Sequence, residues 1–253
     1  MSSTIILYCL LLLFIASVIH VLALRFMPVK TPLMRLRCKQ QIKRGERPRL
    51  YHKWIPLKDI PEDFKIAVWV GEDRSFISHF GINLKKLANR SFLFFKQKES
   101  FTKSFSGTST ISQQTAKNVF LWLDKSILRK FLEVYYTLLI ELFWGKLRIL
   151  EVYLNAIEMG DGIYGVHAAA QHHYHCKPKE LTREQIVSIV SCFPNPLRYH
   201  CTNITEPKIQ RLYENNLWSM QGLSFPRTEE FRKVQFQYRK QAILRLLGIK
   251  RNA

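Results

Sequence analysis

The sequence predicts a mostly α-helical body behind one N-terminal membrane-spanning helix. Three observations lead there. Thr4 to Leu24 is almost wholly apolar and holds no Lys, Arg, Asp or Glu; at 1.5 Å per residue it spans roughly 30 Å, the thickness of a bilayer core. Beyond it, apolar residues recur at helical spacing behind recognisable helix-start signals. Strand-like alternation is scarce. An apolar fraction of 47% over 253 residues is more than a disordered chain carries and suffices for one large domain or two small lobes. The net charge of +20 calls for anionic partners, but charge alone does not separate nucleic acid, lipid headgroups and phosphorylated substrates.

The elements follow in order. Residues 1–3 are a short tail and 4–24 the anchor. A cleaved signal peptide is the alternative, but the head lacks Lys and Arg, the apolar run is long and no small-x-small site follows. Arg25, Lys30, Arg35, Arg37 and Lys39 all follow the span and no Lys or Arg precedes it; the positive-inside tendency, taken alone, keeps the body in the cytoplasm. Residues 25–53 read as a basic linker, punctuated like the stretch after it by Pro28, Pro32, Pro48, Pro56 and Pro61. Pro61-Glu62-Asp63 opens a helix, its acids opposing the dipole, that runs through Phe64, Ala67, Val68 and Val70 toward Glu72. Residues 84–106 are basic and aromatic, either a flap at a membrane surface or a solvated helix and loop. Thr110 and Gln113 have capping-box spacing.

Ser126 to Trp144 is so apolar, at Leu132, Tyr135, Tyr136, Leu139, Ile140 and Phe143, that it is predicted to be the central helix. After Gly145, a second helix is predicted over Lys146 to Glu158. Gly160, Gly162 and Gly165 mark a tight turn before an alanine-rich helix over Ala168 to Tyr174. Thr182 and Gln185 cap a helix that stops before Pro194, and two more helices lie near 206–220 and 228–247. The five cysteines show no CxxC or zinc spacing and are read as free thiols, with a Cys192–Cys201 pair in an oxidising compartment as the alternative. His172, His173 and His175 lack carboxylate company and are read as a histidine-rich helix end.

The chemistry sits in blocks. Glu72 lies in Gly71-Glu72-Asp73-Arg74-Ser75-Phe76-Ile77-Ser78-His79-Phe80-Gly81. Gly107-Thr108-Ser109-Thr110-Ile111-Ser112-Gln113-Gln114-Thr115-Ala116-Lys117-Asn118 follows, then Arg129-Lys130-Phe131-Leu132-Glu133 and Lys146-Leu147-Arg148-Ile149-Leu150-Glu151. Thr110, Gln114 and Lys117 share one helix face, as do Arg129 and Glu133. Two carboxylates, one escorted by amides and one by cations, suit chemistry at a glycosidic centre that bears an anionic group. Ser100-Phe101-Thr102-Lys103 has a transpeptidase-like form but no Lys-Thr-Gly partner, and is read as chance.

These blocks, with Tyr153-Leu154-Asn155-Ala156-Ile157-Glu158-Met159-Gly160-Asp161-Gly162-Ile163-Tyr164-Gly165 and Pro194-Asn195-Pro196-Leu197-Arg198-Tyr199, resemble the monofunctional, biosynthetic peptidoglycan glycosyltransferases of the lysozyme-like superfamily. The resemblance implies a two-lobed lysozyme-like fold, with residues 54–200 as the catalytic core and 201–253 as helices completing it. It implies polymerisation of lipid II into β-1,4 glycan, with undecaprenyl pyrophosphate released by inverting displacement. Glu72 is then the general base and Glu133 the second catalytic carboxylate, on the donor side. Asp73, Phe76, His79, Ser109, Thr110, Gln114, Lys117, Asn118, Arg129, Lys146 and Arg148 fall in substrate-binding positions, with Lys146 and Arg148 on the leaving group. No residue is assigned as a metal ligand, although the family leaves room for a divalent cation, Mg or Mn, near the pyrophosphate.

The implied partners are lipid II, the growing lipid-linked glycan, anionic membrane lipids and other cell-wall synthesis or division proteins, with no nucleic acid. The implied location is the bacterial inner membrane, single-pass, with the body on the periplasmic side. Gly71, Asn83 and His200 depart from the usual residues of the family. Two other classes stay open on the sequence: a lysozyme-like glycan-cleaving enzyme, and a non-enzymatic basic module binding membrane or nucleic acid.

Overall fold

The computed structural model describes residues 2–89, 109–122 and 126–246. Most of the expected flap, with Ser100 and Lys103, lies outside the described residues. The rest is mostly helical, as the sequence predicts. Helix α1 (Ser2–Leu24) contains the apolar span Thr4–Leu24.

The linker is more structured than its prolines suggest. It contains α2 (Pro32–Lys43), started by Thr31 as N-cap and Pro32 in the first turn. Arg37 donates to Glu158 Oε1 at 3.0 Å and Gln41 donates to Asp161 at 3.0 Å. The basic segment is therefore fastened to the body rather than strung between it and α1. Its last residues lead into β1 (Tyr51–His52) of a small sheet with β2 (Glu158–Gly160) and β3 (Ile163–Tyr164), in the order β1-β3-β2. Strand β1 runs parallel to β3, with Tyr51 opposite Ile163, and β2 runs antiparallel.

Helix α3 (Glu62–Glu72) buries Phe64, Ile66, Ala67, Val68 and Val70 and ends at the glutamate pair. Helix α4 (Ile111–Phe120) begins with the Thr110–Gln113 capping box. Helix α5 (Ile127–Phe143) is followed by α6 (Lys146–Ala156), α7 (Gly165–Tyr174), α8 (Arg183–Ser191), α9 (Pro207–Ser219) and α10 (Thr228–Leu246). Helix α6 stops two residues before Glu158 because Ile157 turns extended and feeds β2.

Helix α6 is more completely buried than α5, which the sequence reading takes as the central helix. Ile149, Leu150, Val152, Tyr153 and Leu154 are all within 1% of complete burial. On α5 the inward residues are Leu139 and Ile140 together with Glu133, Thr137 and Glu141, while Ile127, Leu128, Phe131, Leu138 and Leu142 are exposed. An exposed apolar face of this kind marks a contact with lipid or protein, so α5 is apolar on two sides, one of them in the core.

Helix α1 lies against that same helix. Ser17 Oγ and Tyr135 Oη are 2.5 Å apart, and Trp144 Nε1 donates to the Val21 carbonyl at 2.6 Å. Arg148 donates to the Leu24 carbonyl at 2.9 Å and also reaches the Met27 carbonyl. The guanidinium thus caps the carbonyl end of α1, where a cation suits the dipole.

Candidate active site

Helix α3 delivers Glu72 in its last turn, and α4 delivers the amide that meets it. Gln114 Nε2 donates to Glu72 Oε2 at 2.7 Å, and Gln114 Oε1 accepts from the Tyr153 hydroxyl at 3.4 Å. The buried phenol fixes which way the amide points. Burial, then the charges of Glu72 and Asp73, hold the Tyr153 hydroxyl well above its usual range, so it stays a donor. Tyr153 is quoted in a block of the sequence but carries no role there. The signal was a hydroxyl on an otherwise apolar face, since a buried tyrosine needs a partner. Tyr153→Phe is expected to lower kcat about tenfold, the cost of one neutral hydrogen bond, with the thermal midpoint moving by only a few degrees; an unchanged kcat would remove Tyr153 from the site.

Burial pushes the Glu72 carboxyl up. The Gln114 hydrogen bond and the charges of Lys86 and Lys117 pull it back, Asp73 adds to the push, and the net position is above the usual carboxylate range. Lys117 is pushed down by burial and sits in the combined field of Glu133, Arg129, Lys130 and Glu72. That one ammonium therefore couples electrostatically to both glutamates. Gln114 and Lys117 are the partly exposed positions of α4 together with Phe120, so they share an open side. Asn118 is buried, at 9% exposure, and Ser109 is half-buried just ahead of the helix cap.

Glu133 is 2% exposed, yet its carboxylate is well matched. Arg129 Nη1 lies 2.9 Å from Oε2, and Lys130 Nζ bonds Oε1. Both oxygens are occupied by cations, so as it stands this carboxylate does not fit a divalent ion. Its evident effect is to hold two positive groups beside Lys117. Arg129 Nε is buried without a partner, which leaves one donor of the cluster unused. Lys130 was quoted in its block but given no role, because an i, i+3 cation reads as a solvated partner until Glu133 is seen to be buried.

The remaining assigned residues form the support. Asp73 accepts from His79 Nε2 at 2.8 Å, from Ser75 at 3.0 Å and from the Ile111 amide at 3.3 Å. Burial pushes Asp73 up, but the His79 bond and charge, Ser75 and Lys146 outweigh it and hold the carboxyl below its usual range. A charged Asp73 thus sits on the amide end of α4. Thr110 caps α4 and donates to the Gly81 carbonyl at 2.5 Å. Gly81 has φ +78, and a Cβ there would stand 2.6 Å from Thr137, so this bend needs glycine.

Two departures from the family pattern find local explanations. Asn83 donates to Ser75 Oγ at 2.6 Å and accepts the Lys86 amide at 2.9 Å, joining the Asp73 network to the helical stretch at 84–89. At Gly71 a Cβ would meet the Asn216 amide and Val190 at 3.3 Å, so glycine lets α9 sit close to α3.

Phe76, Lys146 and Arg148 make contacts within the body. Phe76 is 1% exposed, with Lys146 Nζ 4.4 Å from its ring centroid. Lys146 is itself 2% exposed and bonds Glu141, which also accepts from Ser112 at 2.5 Å. Arg148 is committed to the end of α1 and to Glu151 at 3.0 Å, over the Trp54 ring. Both side chains hold elements of the body together, Arg148 Nε is buried without a hydrogen-bond partner, and Lys146 also acts on the charge of Asp73.

The transglycosylase family model matches residues 39–220. Among curated proteins, the chain is 44% identical over 188 residues to a biosynthetic peptidoglycan transglycosylase of Bacteroides thetaiotaomicron, covering 74% of each chain. It is 43% identical over 188 residues to one from Ectopseudomonas mendocina, covering 74% of this chain and 76% of that one. A third, from Pseudomonas entomophila, is 41% identical over 184 residues, 72% and 76% of the two chains.

Proposed function

The chain belongs to the transglycosylase family, and from that premise we propose that it polymerises lipid II into β-1,4 glycan with release of undecaprenyl pyrophosphate. The observation that carries this reading is the electrostatic coupling of Lys117 both to Glu72, held by Gln114, and to Glu133, held by Arg129 and Lys130.

In this mechanism the acceptor 4-hydroxyl oxygen attacks C1 of the donor sugar from the face opposite the pyrophosphate. The C1–O bond to pyrophosphate breaks and its electron pair leaves with the phosphate oxygen. The hydroxyl proton passes to Glu72, a general base whose raised pKa makes it a better proton acceptor than an ordinary carboxylate. Lys117, Arg129 and Lys130 meet the charge that develops on the leaving group. Glu133 keeps Arg129 and Lys130 pointed inward, so its catalytic effect runs through them. Asp73, His79 and Thr110 hold the amide end of α4, on which Gln114 and Lys117 ride.

The reaction places the body on the periplasmic side of the inner membrane, where finished glycan accumulates, against the charge tendency around the span. A reporter fused after Ala253 and active only in the cytoplasm would refute that topology. The chemistry is tested by giving the purified protein lipid II and, separately, finished glycan. Chain growth on the first and no loss of the second is the expected pair of results. Shortening of finished glycan would instead favour a lysozyme-like hydrolase. Lys117→Ala is expected to cut kcat by about 10²–10³ without lowering the thermal midpoint, because it removes a cation held at a desolvation cost; unchanged turnover would sink the leaving-group role.

A further inference from the structure

The anchor leaves the membrane beside a basic cavity that the catalytic reading does not use. It has a volume of about 370 Å³ and lies between the last turns of α1, the start of α2 and α4. That volume falls in the range of small-molecule sites, about 300–1,000 Å³. Lys30, Arg35 and Lys39 line it with His20, while Leu24 and Val119 supply apolar wall. No Asp or Glu is among its lining residues.

Its walls are fixed. Trp144 and Arg148 hold the Val21 and Leu24 carbonyls, the His20 ring meets Phe120 edge-on at 5.5 Å, and the Thr31 hydroxyl caps α2. His20 and Leu24 belong to the last two turns of the apolar span. The cavity therefore opens at the level where acyl chains end and phosphates begin.

We propose that this cavity holds the phosphate headgroup of an anionic phospholipid from the leaflet on which the body sits, its acyl chains lying along α1. The inference rests on α1 being a membrane anchor and is independent of the Glu72 chemistry. The match is one of charge and depth together: three cations without a lining carboxylate at headgroup height, and apolar side chains on the membrane side. Cations near a membrane surface contribute about 1 kcal/mol each toward anionic lipid, so three correspond to roughly 100-fold in affinity.

The test uses the full-length protein in neutral detergent, with native mass spectrometry to count retained lipids. Phosphatidylglycerol is expected to bind in one tight equivalent over phosphatidylcholine, and Lys30→Ala/Arg35→Ala/Lys39→Ala to lower that affinity about 100-fold. These three side chains are exposed, so the fold should survive. Removing three equally exposed charges elsewhere, Lys208, Arg211 and Lys233, should leave the tight equivalent in place. A triple variant that keeps its preference would overturn the proposal. So would competition by inorganic phosphate at the lipid's own concentration, which would make the site a free-anion site. Displacement of the phospholipid by lipid II, lost in the triple variant, would assign the cavity to substrate instead. Loss of lipid retention with polymerisation intact at saturating lipid II would separate this site from the catalytic one.

Discussion

Glu72→Gln is expected to abolish glycan polymerisation, by about 10³-fold or more, and at the same time to make the folded protein harder to melt at neutral pH. The first effect removes the proton acceptor while keeping the shape and the hydrogen bond from Gln114. The second follows from linkage. A carboxyl whose folded pKa is raised binds its proton more tightly folded than unfolded. Stability is therefore lost as pH rises from the unfolded pKa through the folded one, and that penalty persists at neutral pH. Glutamine carries no such penalty, so the gain in thermal midpoint should shrink and vanish as pH falls below the ordinary carboxylate range. An inactive variant with an unchanged midpoint at both pH values would mean that Glu72 is not desolvated in the fold. Parent-level activity would remove it from the chemistry.

Breaking the buried Lys146–Glu141 pair should have the largest effect on stability. Both side chains are within 2% of complete burial. Removing one partner strands a charge in the core, at about 3–5 kcal/mol, or roughly 6–20 °C in a domain of this size. Lys146→Met should show that loss, and Lys146→Met/Glu141→Gln should recover most of it, because the pair is then replaced as a unit. Polymerisation by the double variant separates two roles for Lys146. Activity that returns with stability makes it a positioning residue, acting through Ser112 and Phe76 beneath α4. A stable but inactive double variant would show Lys146 acting on substrate. A single variant as stable as the parent would contradict the buried pair altogether.

Much of this molecule is legible in the sequence, for physical reasons that differ by region. Helix starts at Pro61, Thr110 and Thr182 are written in local chemistry, and each opens a helix within a residue or two. The pairing of Gln114 and Lys117 on one face follows from helical spacing alone. What failed were inferences from burial. Leu139 and Ile140 are core as their apolarity suggests, but Leu132, Tyr135 and Phe143 are only half-buried, and the same helix turns Glu133, Thr137 and Glu141 inward. Lys146 and Arg148 fall in a motif that assigns them to the leaving group, and the sequence does not show what else they hold. Only three-dimensional neighbours reveal that one is locked to Glu141 and the other to the carbonyls of Leu24 and Met27. Linker residue Arg37 reads as one more surface cation until Glu158, 121 positions away, is seen across from it.

The central claim, that Glu72 takes the acceptor proton, is tested most directly by the pH dependence of kcat/KM for polymerisation in the parent and in Gln114→Leu. The acid limb reports the base of the free enzyme. Gln114 donates the hydrogen bond that holds Glu72 down against burial, so its removal should move that limb to higher pH, whatever happens to the height of the profile. A limb that stays where the parent has it would mean that some other group takes the proton.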